Sequence, residues 1–213
     1  MITEHFPLLG LRLTTPRLEL RLPDPAELAA LAELAAEGIH DPDVMPFSVP
    51  WTDAPPAERA RGVVQHHWGM LSRITPEGWS IPFTVFVDGE VAGVQDIGAQ
   101  DFAVTRQVGS GSWLGQRFHG KGIGTEMRAA VLDLAFEGLD AELAASAAYA
   151  DNPASLAVSR RLGYRDNGTE RCSSRGKPNT MRRLILDREA WERNRTVKVE
   201  IEGVEACRGM LGA

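Results

Sequence analysis

Cysteine is scarce in this chain, and long apolar runs are absent from it. Only Cys172 and Cys207 occur, and they form no CxxC pair or other metal-ligand spacing. This argues against a disulfide scaffold and against a metal site, and it is typical of a reducing compartment. No stretch reaches the ~18 apolar residues of a membrane helix, and the start lacks a signal-peptide pattern. We therefore expect a cytoplasmic protein without a membrane partner.

An excess of positive charge is also missing. Lys and Arg number 23 against 29 Asp and Glu, which gives a formal net charge of -6. Such a field repels polyanions, so nucleic acid is not an expected partner. Of the 213 residues, 43% are hydrophobic and 24% are charged, as in ordinary folded proteins. We expect one domain over 1–193 and a C-terminal appendage over 194–213.

Hydrophobic periodicity predicts a mixed α/β (α+β) domain with about seven strands and four helices. Helices are predicted at about 25–37, 57–73 and 153–162, the second with Trp68 in the core, and a further helix is predicted directly behind the glycines of 120–124, with Met127, Ala130, Val131, Leu134 and Ala135 on its apolar face. One strand is predicted at 11–22, a hairpin around Asp88-Gly89, and further strands at 106–116 and 141–150. A last hairpin is expected to carry a long linker at 173–179.

The C-terminal segment contains the alternating residues Val197, Val199 and Ile201, which predict an extra strand. An unpaired amphipathic strand at a terminus often pairs with a second copy of the chain. The sequence therefore predicts a homo-oligomer, a dimer or higher.

The stretch QRFHGKGIGTEMRAAVLDLAF, residues 116–136, contains three glycines directly before a helical pattern. Bare amides at a helix N-terminus bind anions, and Lys121 and Thr125 would assist a phosphate. The stretch fits neither the P-loop pattern nor the dinucleotide fingerprint. A phosphate or pyrophosphate site and a turn without a ligand both remain open on these residues alone.

The order of motifs resembles the GNAT superfamily of acyl-CoA-dependent N-acyltransferases, in its RimJ/RimL-like branch. It consists of LTTPRLELRL, then SWLG, QRFH and GKGIGTEM before a helix and a strand, and finally NPASLAVSRRLGY; it spans about residues 11–188. The resemblance implies acetyl-CoA or another acyl-CoA as cosubstrate. It also implies a mostly antiparallel sheet of 6–7 strands, splayed between the fourth and fifth.

The resemblance also assigns roles to individual residues. Backbone amides would hold the pyrophosphate at Gly120, Lys121, Gly122, Ile123, Gly124 and Thr125. Leu114 and Gly115 would pair with the pantetheine arm, and Arg117 and His119 complete the cofactor contacts. His119 departs from the family, which has Gln or Arg there. Asn152 matches a residue that forms a hydrogen bond with pantetheine, with helix capping as its alternative. Ser155 matches the serine near the sulfur, where it would act as hydrogen-bond donor or general acid.

The acceptor side is less defined in the sequence. The aromatic loop 40–52 offers Met45, Phe47 and Trp51 as substrate-binding candidates. No carboxylate occupies the position of the base in some relatives, so the base stays unassigned, with Asp96, Asp101 and Glu170 as substitutes by position alone. The basic run from Arg160 to Lys177 is either solvated surface or a site for an acidic acyl group.

The predicted reaction is transfer of an acyl group, acetyl or alternatively succinyl, from acyl-CoA to an amine by direct attack on the thioester. The acceptor is a protein N-terminus, a lysine or a small molecule. To react at pH 7, a lysine must lose its proton more than ~3 pK units below its pKa, which costs roughly 4.6 kcal/mol, whereas deprotonation of an α-amine costs about 1 kcal/mol. The alternative is a non-catalytic acyl-CoA-binding regulator on the same fold. A nucleotide-binding protein of another fold is disfavoured by the motifs that fail.

Overall fold

The computed structural model describes all residues from 1 to 213. The strands are β1 Arg12–Thr14, β2 Leu18–Arg21, β3 Gly78–Val87, β4 Glu90–Gln100, β5 Gln107–Leu114, β6 Leu143–Tyr149, β7 Arg165–Ser174, β8 Lys177–Asp187 and β9 Glu200–Glu202. The helices are α1 Ile2–His5, α2 Pro25–Glu37, α3 Pro56–Leu71, α4 Phe102–Thr105, α5 Ile123–Asp133, α6 Pro153–Arg161, α7 Arg188–Asn194 and α8 Val204–Leu211.

All nine strands form one sheet in the order β7-β8-β6-β5-β4-β3-β2-β1-β9. Every neighbouring pair is antiparallel except β5 and β6, which are parallel. The predicted mixed, mostly antiparallel α/β domain is confirmed. The strand number exceeds 6–7 because residues 11–22 form two strands around Pro16 and because β9 joins the edge. The helices exceed the predicted four through the short α1, α4, α7 and α8.

Helix α2 begins where local signals predict it. The Asp24 side chain accepts from the amides of Ala26 and Glu27, and the Glu27 carboxylate accepts from the Asp24 amide in return. Helix α3 also lies where expected, but the core position predicted for Trp68 is wrong. Val63 and His67, one turn apart, take the buried face, which leaves Trp68 61% exposed.

Two hairpins differ in how well the sequence anticipated them. The β3–β4 turn at Asp88-Gly89 is confirmed, with φ angles of 50° and 80°. The long linker predicted at 173–179 is wrong, because β7 and β8 continue to a two-residue turn at Arg175-Gly176. Residues without an apolar alternation thus belong to both strands, because β7 and β8 pair with each other through their backbones.

The C-terminal segment packs against the domain instead of standing apart from it. Its strand β9 is shorter than predicted and pairs with β1 of the same chain. Helix α8, which the sequence analysis did not anticipate, buries Cys207 and Leu211 completely. The indole Nε1 of Trp79 donates to the Leu211 carbonyl at 2.8 Å. The strand therefore finds its partner within the chain; homo-oligomer formation itself stays a prediction.

The helices enclose the sheet and position the loop that precedes α5. Helices α2 and α3 pack on each other and on β4 and β3, whereas α5 contacts β1, β2, β4 and β5. Residues from these elements share one hydrophobic core, which includes Leu31, Phe83, Ile97 and Val131. None of the helices is both long and apolar enough to cross a membrane.

Candidate active site

Strands β5 and β6 separate part of the way along their length. They pair only from Gln107 with Leu143 to Gly109 with Ala145, after which β5 continues to Leu114 and β6 to Tyr149 without a partner between them. The splay lies between the strands that the resemblance numbered fourth and fifth, as that interpretation predicted. Unpaired strand edges can bind an extended chain through main-chain hydrogen bonds. The opening therefore fits a linear arm such as pantetheine.

The loop between β5 and α5 presents a group of free amides. Gly120 and Gly122 have φ angles of 73° and 80°, and α5 begins directly after Gly122. The backbone amides of residues 120–124 make no main-chain hydrogen bond, whereas the Thr125 amide donates to the Gly122 carbonyl at 3.2 Å. Five of the six predicted amides are thus available, and together with the helix dipole they fit a pyrophosphate.

Arg17 is a residue at this loop that the sequence analysis did not identify. It donates from Nη1 to the Lys121 carbonyl at 3.1 Å and from Nε to Glu126 at 2.7 Å. The buried Glu126 carboxylate also accepts from the Thr15 hydroxyl at 2.6 Å. The β1–β2 turn therefore fixes the first turn of α5, and the half-exposed Arg17 guanidinium adds positive charge beside the amides. The only sequence signal was its place in the TPRLELRL motif.

The two basic residues predicted to contact the cofactor are engaged elsewhere. His119 donates from Nε2 to the Leu114 carbonyl at 2.9 Å, which occupies an acceptor on the open edge of β5. Arg117 pairs with Glu37 at 3.0 Å and with Glu90 at 2.6 Å, which ties the loop to α2 and β4. Gly115 packs so tightly that a Cβ there would lie 2.6 Å from the Leu34 side chain. These residues shape the loop in this structure.

Asn152 and Ser155 begin α6 across the splay from β5. The Asn152 side chain accepts from the Ser155 amide at 3.1 Å, which is the capping role given as its alternative. The Ser155 hydroxyl is half-buried and makes no hydrogen bond within the protein. It is therefore free to donate to a group in the splay, as the resemblance implies.

Aromatic side chains from the loop 40–53 form one wall of the cleft. The Phe47 and Trp51 rings lie 5.3 Å apart, and Trp51 lies 5.9 Å from Trp113 of β5. Met45 is buried and borders a cavity of about 410 Å³ against the β7–β8 hairpin. The Tyr149 hydroxyl donates to the Phe47 carbonyl at 3.4 Å. All three predicted substrate-binding residues thus come together beside the end of the splay.

The tip of the β7–β8 hairpin closes over this wall. Arg175 forms an ion pair with Asp53 and donates to the Pro42 carbonyl at 2.7 Å. This pairing raises the pKa of Arg175 and lowers that of Asp53. The remaining members of the basic run, including Arg160, Arg161 and Arg165, are exposed. Apart from Arg175, these members of the run thus lie on the exposed surface.

Asp96 lies on β4 beside the point where β5 and β6 diverge. Its Oδ1 accepts from the Gly111 amide at 2.5 Å, and it borders a cavity of about 520 Å³ that Gly109 and Ala145 also line. Burial raises the pKa of Asp96 above its usual range, against opposing effects of the Gly111 hydrogen bond, His66 and Arg128. A carboxylate with a raised pKa facing a cavity is suited to accept a proton.

The two other carboxylates considered as base are placed differently. Glu170 is exposed and forms an ion pair with Arg183 on β8. Asp101 is exposed at the end of β4, where its backbone turns with a φ of 48° into α4. The structure contains no group of three or more His, Cys, Asp and Glu residues able to hold a metal ion. Asp96 is therefore the carboxylate that the fold brings to the splay.

Three solved structures resemble this chain in fold. RimJ of Mycobacterium smegmatis in complex with CoA-disulfide has 18% identity over 94% of each chain, with a TM-score of 0.69. RimL, a ribosomal L7/L12 alpha-N-protein acetyltransferase in complex with coenzyme A, has 21% identity over 83% of this chain and 97% of its own, with a TM-score of 0.66. An acetyl transferase of Salmonella typhimurium that modifies the N-terminal serine of L7/L12 has 21% identity, 81% and 96% coverage and a TM-score of 0.65.

The sequence itself matches the family described as acetyltransferase (GNAT) domain over residues 17–165, well over half of the chain. The matched region begins at Arg17 beside the amide loop and includes the splay, Asp96 and Ser155. The chain thus belongs to the GNAT acetyltransferase family and is an enzyme that transfers an acyl group from acyl-CoA to an amine.

Proposed function

We propose that this enzyme acylates an amine of low pKa, specifically the α-amine of a polypeptide, and that Asp96 is the general base. The observation that carries the proposal is the position of Asp96, at the vertex of the splay and on the border of an open cavity. The two similar ribosomal-protein acetyltransferases described above act on N-terminal amines, which supports the same acceptor class here.

The size of the proton-transfer cost supports an α-amine over a lysine. An α-amine with a pKa near 8 loses its proton at pH 7 at a cost of about 1 kcal/mol, whereas a lysine side chain requires roughly 4.6 kcal/mol. Asp96, whose pKa burial raises, accepts a proton more easily from an α-ammonium than from a lysine ammonium, because the α-ammonium has the lower pKa. One half-buried carboxylate is thus better matched to an α-amine.

The residues around the splay divide the work of the reaction. Asp96 takes the proton of the incoming ammonium, and the free amine attacks the thioester carbonyl carbon, which forms the C–N bond. The C–S bond then breaks, and the second proton of the amine passes to the departing thiolate through the Ser155 hydroxyl, which takes up one proton as it gives up its own. The free amides of residues 120–124 and the charge of Arg17 hold the pyrophosphate and so align the two reactants.

The test is release of free thiol from acetyl-CoA with matched peptides. One peptide has a free N-terminal serine and no lysine; the other has a blocked N-terminus and one lysine. We expect release with the first peptide at least ten times faster than with the second. Faster release with the lysine peptide, or equal release with both, would overturn the acceptor class. Coenzyme A binding without release from either peptide would overturn a peptide acceptor of either kind.

A further inference from the structure

Arg128 is a buried cation without a carboxylate partner. It lies on α5, is 5% exposed, and its single side-chain hydrogen bond runs from Nη1 to the hydroxyl of Ser159 on α6 at 2.9 Å. Its Nε has no partner. Taking a charge out of water costs several kcal/mol unless an opposite charge and further hydrogen bonds compensate it. A neutral hydroxyl alone does not compensate a guanidinium.

Two further buried donors without partners belong to the same cluster. The hydroxyls of Tyr164 and Ser110 lie close enough to interact with each other, but neither has a hydrogen-bond partner of good geometry. Burial raises the pKa of Tyr164 to about 12, so its hydroxyl keeps its proton, and the Arg128 charge acts on it. The cluster of Arg128, Tyr164 and Ser110 thus offers several donors and no anionic acceptor. Buried donors of this kind call for a specific partner.

The cluster lies at the vertex of the splay. Ser110 is the first residue of β5 beyond the last pair with β6, Gly109 with Ala145. Neighbouring residues of a strand face opposite sides, so Ser110 faces away from the side on which Asp96 meets Gly111. Asp96 is the one carboxylate whose charge acts on Arg128, and its Oδ1 accepts from the Gly111 amide. The donor cluster and the base therefore occupy opposite sides of the vertex.

Arg128 is also connected to the end of the cleft that holds the thioester. The Ser159 hydroxyl, which Arg128 contacts, donates to the Ser155 carbonyl at 3.1 Å. Ser155 and Ser159 are four residues apart on α6, about 6 Å along the axis. A four-carbon acyl chain extends over a similar length. If the carbonyl of such an acyl group lies near Ser155, its far end lies near Ser159 along the α6 axis, where Arg128 makes its hydrogen bond.

We propose that Arg128, with Tyr164 and Ser110, binds the terminal carboxylate of a short dicarboxylic acyl group, and that the preferred donor is an acyl-CoA of the succinyl type. This inference rests on the acyltransferase function proposed above. The carboxylate supplies the missing counter-charge and accepts from the unpaired donors. A methyl group in the same place leaves the cation uncompensated, which makes acetyl-CoA the poorer donor.

The experiment measures the dissociation constants of succinyl-CoA, acetyl-CoA and coenzyme A by calorimetry, without any acceptor. The wild type should bind succinyl-CoA at least tenfold more tightly than acetyl-CoA. Arg128→Met should abolish this preference, Arg128→Lys should retain part of it, and Tyr164→Phe should reduce it severalfold. Arg165→Met, which removes an exposed arginine of the basic run, is the matched control and should leave the preference unchanged.

Equal affinity of the wild type for the two thioesters would overturn the inference. So would an Arg128→Met variant that weakens both equally, which would indicate a structural role. If Arg128→Met does not fold, Arg128→Lys and Tyr164→Phe decide the result by the same ratio. Because no amine is present, failure of the acceptor or base assignment does not affect this measurement.

Discussion

The Asp96 carboxylate on β4 accepts a hydrogen bond from the Gly111 amide on β5, with 2.5 Å between Oδ1 and N. This contact uses the side chain of one strand and the backbone of its neighbour just beyond the last β5–β6 pair. It orients one carboxylate oxygen and leaves the other available for a proton. The function of the site depends on this arrangement.

Asp96→Asn should lower kcat by a factor of 10² to 10⁴, the usual contribution of a general base. Affinity for coenzyme A should stay the same, because Asp96 lies away from the amide loop. A similar loss with the exposed Glu170→Gln variant would show that the effect is not specific to Asp96. Kinetics with a saturating α-amine peptide and calorimetry with coenzyme A provide the two measurements.

The same substitution should stabilise the protein near neutral pH. Burial raises the pKa of Asp96, so the folded chain binds its proton at pH values where the unfolded chain has lost it. The contribution of this group to stability is therefore greatest at low pH and declines as pH rises through the raised pKa. Urea unfolding of both proteins at several pH values should show the variant gaining stability above that range. The reverse sign would contradict a raised pKa.

Gly122→Ala should weaken coenzyme A binding at least tenfold. Its φ of 80° places the chain in the left-handed region, and an added methyl would lie among the free amides, 3.5 Å from Arg17 Nη2. Gly89→Ala is the matched control, because Gly89 has the same φ of 80° in a hairpin turn with no atom within 4 Å of the added methyl. Both should cost about 1–2 kcal/mol of stability. Only the first should change affinity.

Arg17→Met should weaken binding of coenzyme A and reduce the salt dependence of that binding, because a cation beside the phosphates is lost. Binding of pantetheine, which carries no phosphate, should not change. Arg12→Met is the control, since Arg12 pairs with Glu19 at 2.9 Å and makes no contact with the loop. An equal loss of affinity for coenzyme A and pantetheine would assign Arg17 a structural role through Glu126 instead.

Leu211→Ala should lower the free energy of unfolding by about 2–5 kcal/mol, as expected when a fully buried leucine is truncated. Glu205→Ala, on the exposed side of the same helix, should change it by less than about 0.5 kcal/mol. Chemical denaturation gives both values. A small effect of Leu211→Ala would mean that residues 194–213 form a detachable appendage, as the sequence alone suggested.

Where sequence and structure agree, the signals were local. The Asp24 capping box, the Asp88-Gly89 turn and the Asn152-Pro153 helix start each depend on neighbouring residues, and each is found where predicted. Where the two differ, the partner is distant in sequence. Trp68 is exposed because of how α3 packs on the sheet, and β9 finds its partner in β1, almost the whole chain away. Strands β7 and β8 are longer than their apolar alternation predicts, because backbone hydrogen bonding does not require apolar side chains.

By itself the sequence determined the fold class, the helix preceded by bare amides, and the GNAT resemblance, because turn chemistry, capping and periodicity act over a few residues. Only the tertiary structure decided which carboxylate reaches the splay, that Arg17 borders the amide loop, and that Arg128 is buried without a counter-charge. Each of these results depends on burial and on contacts between distant strands and helices. The free energy of placing a charged side chain depends on its burial and on the groups packed around it, and not on its neighbours along the chain.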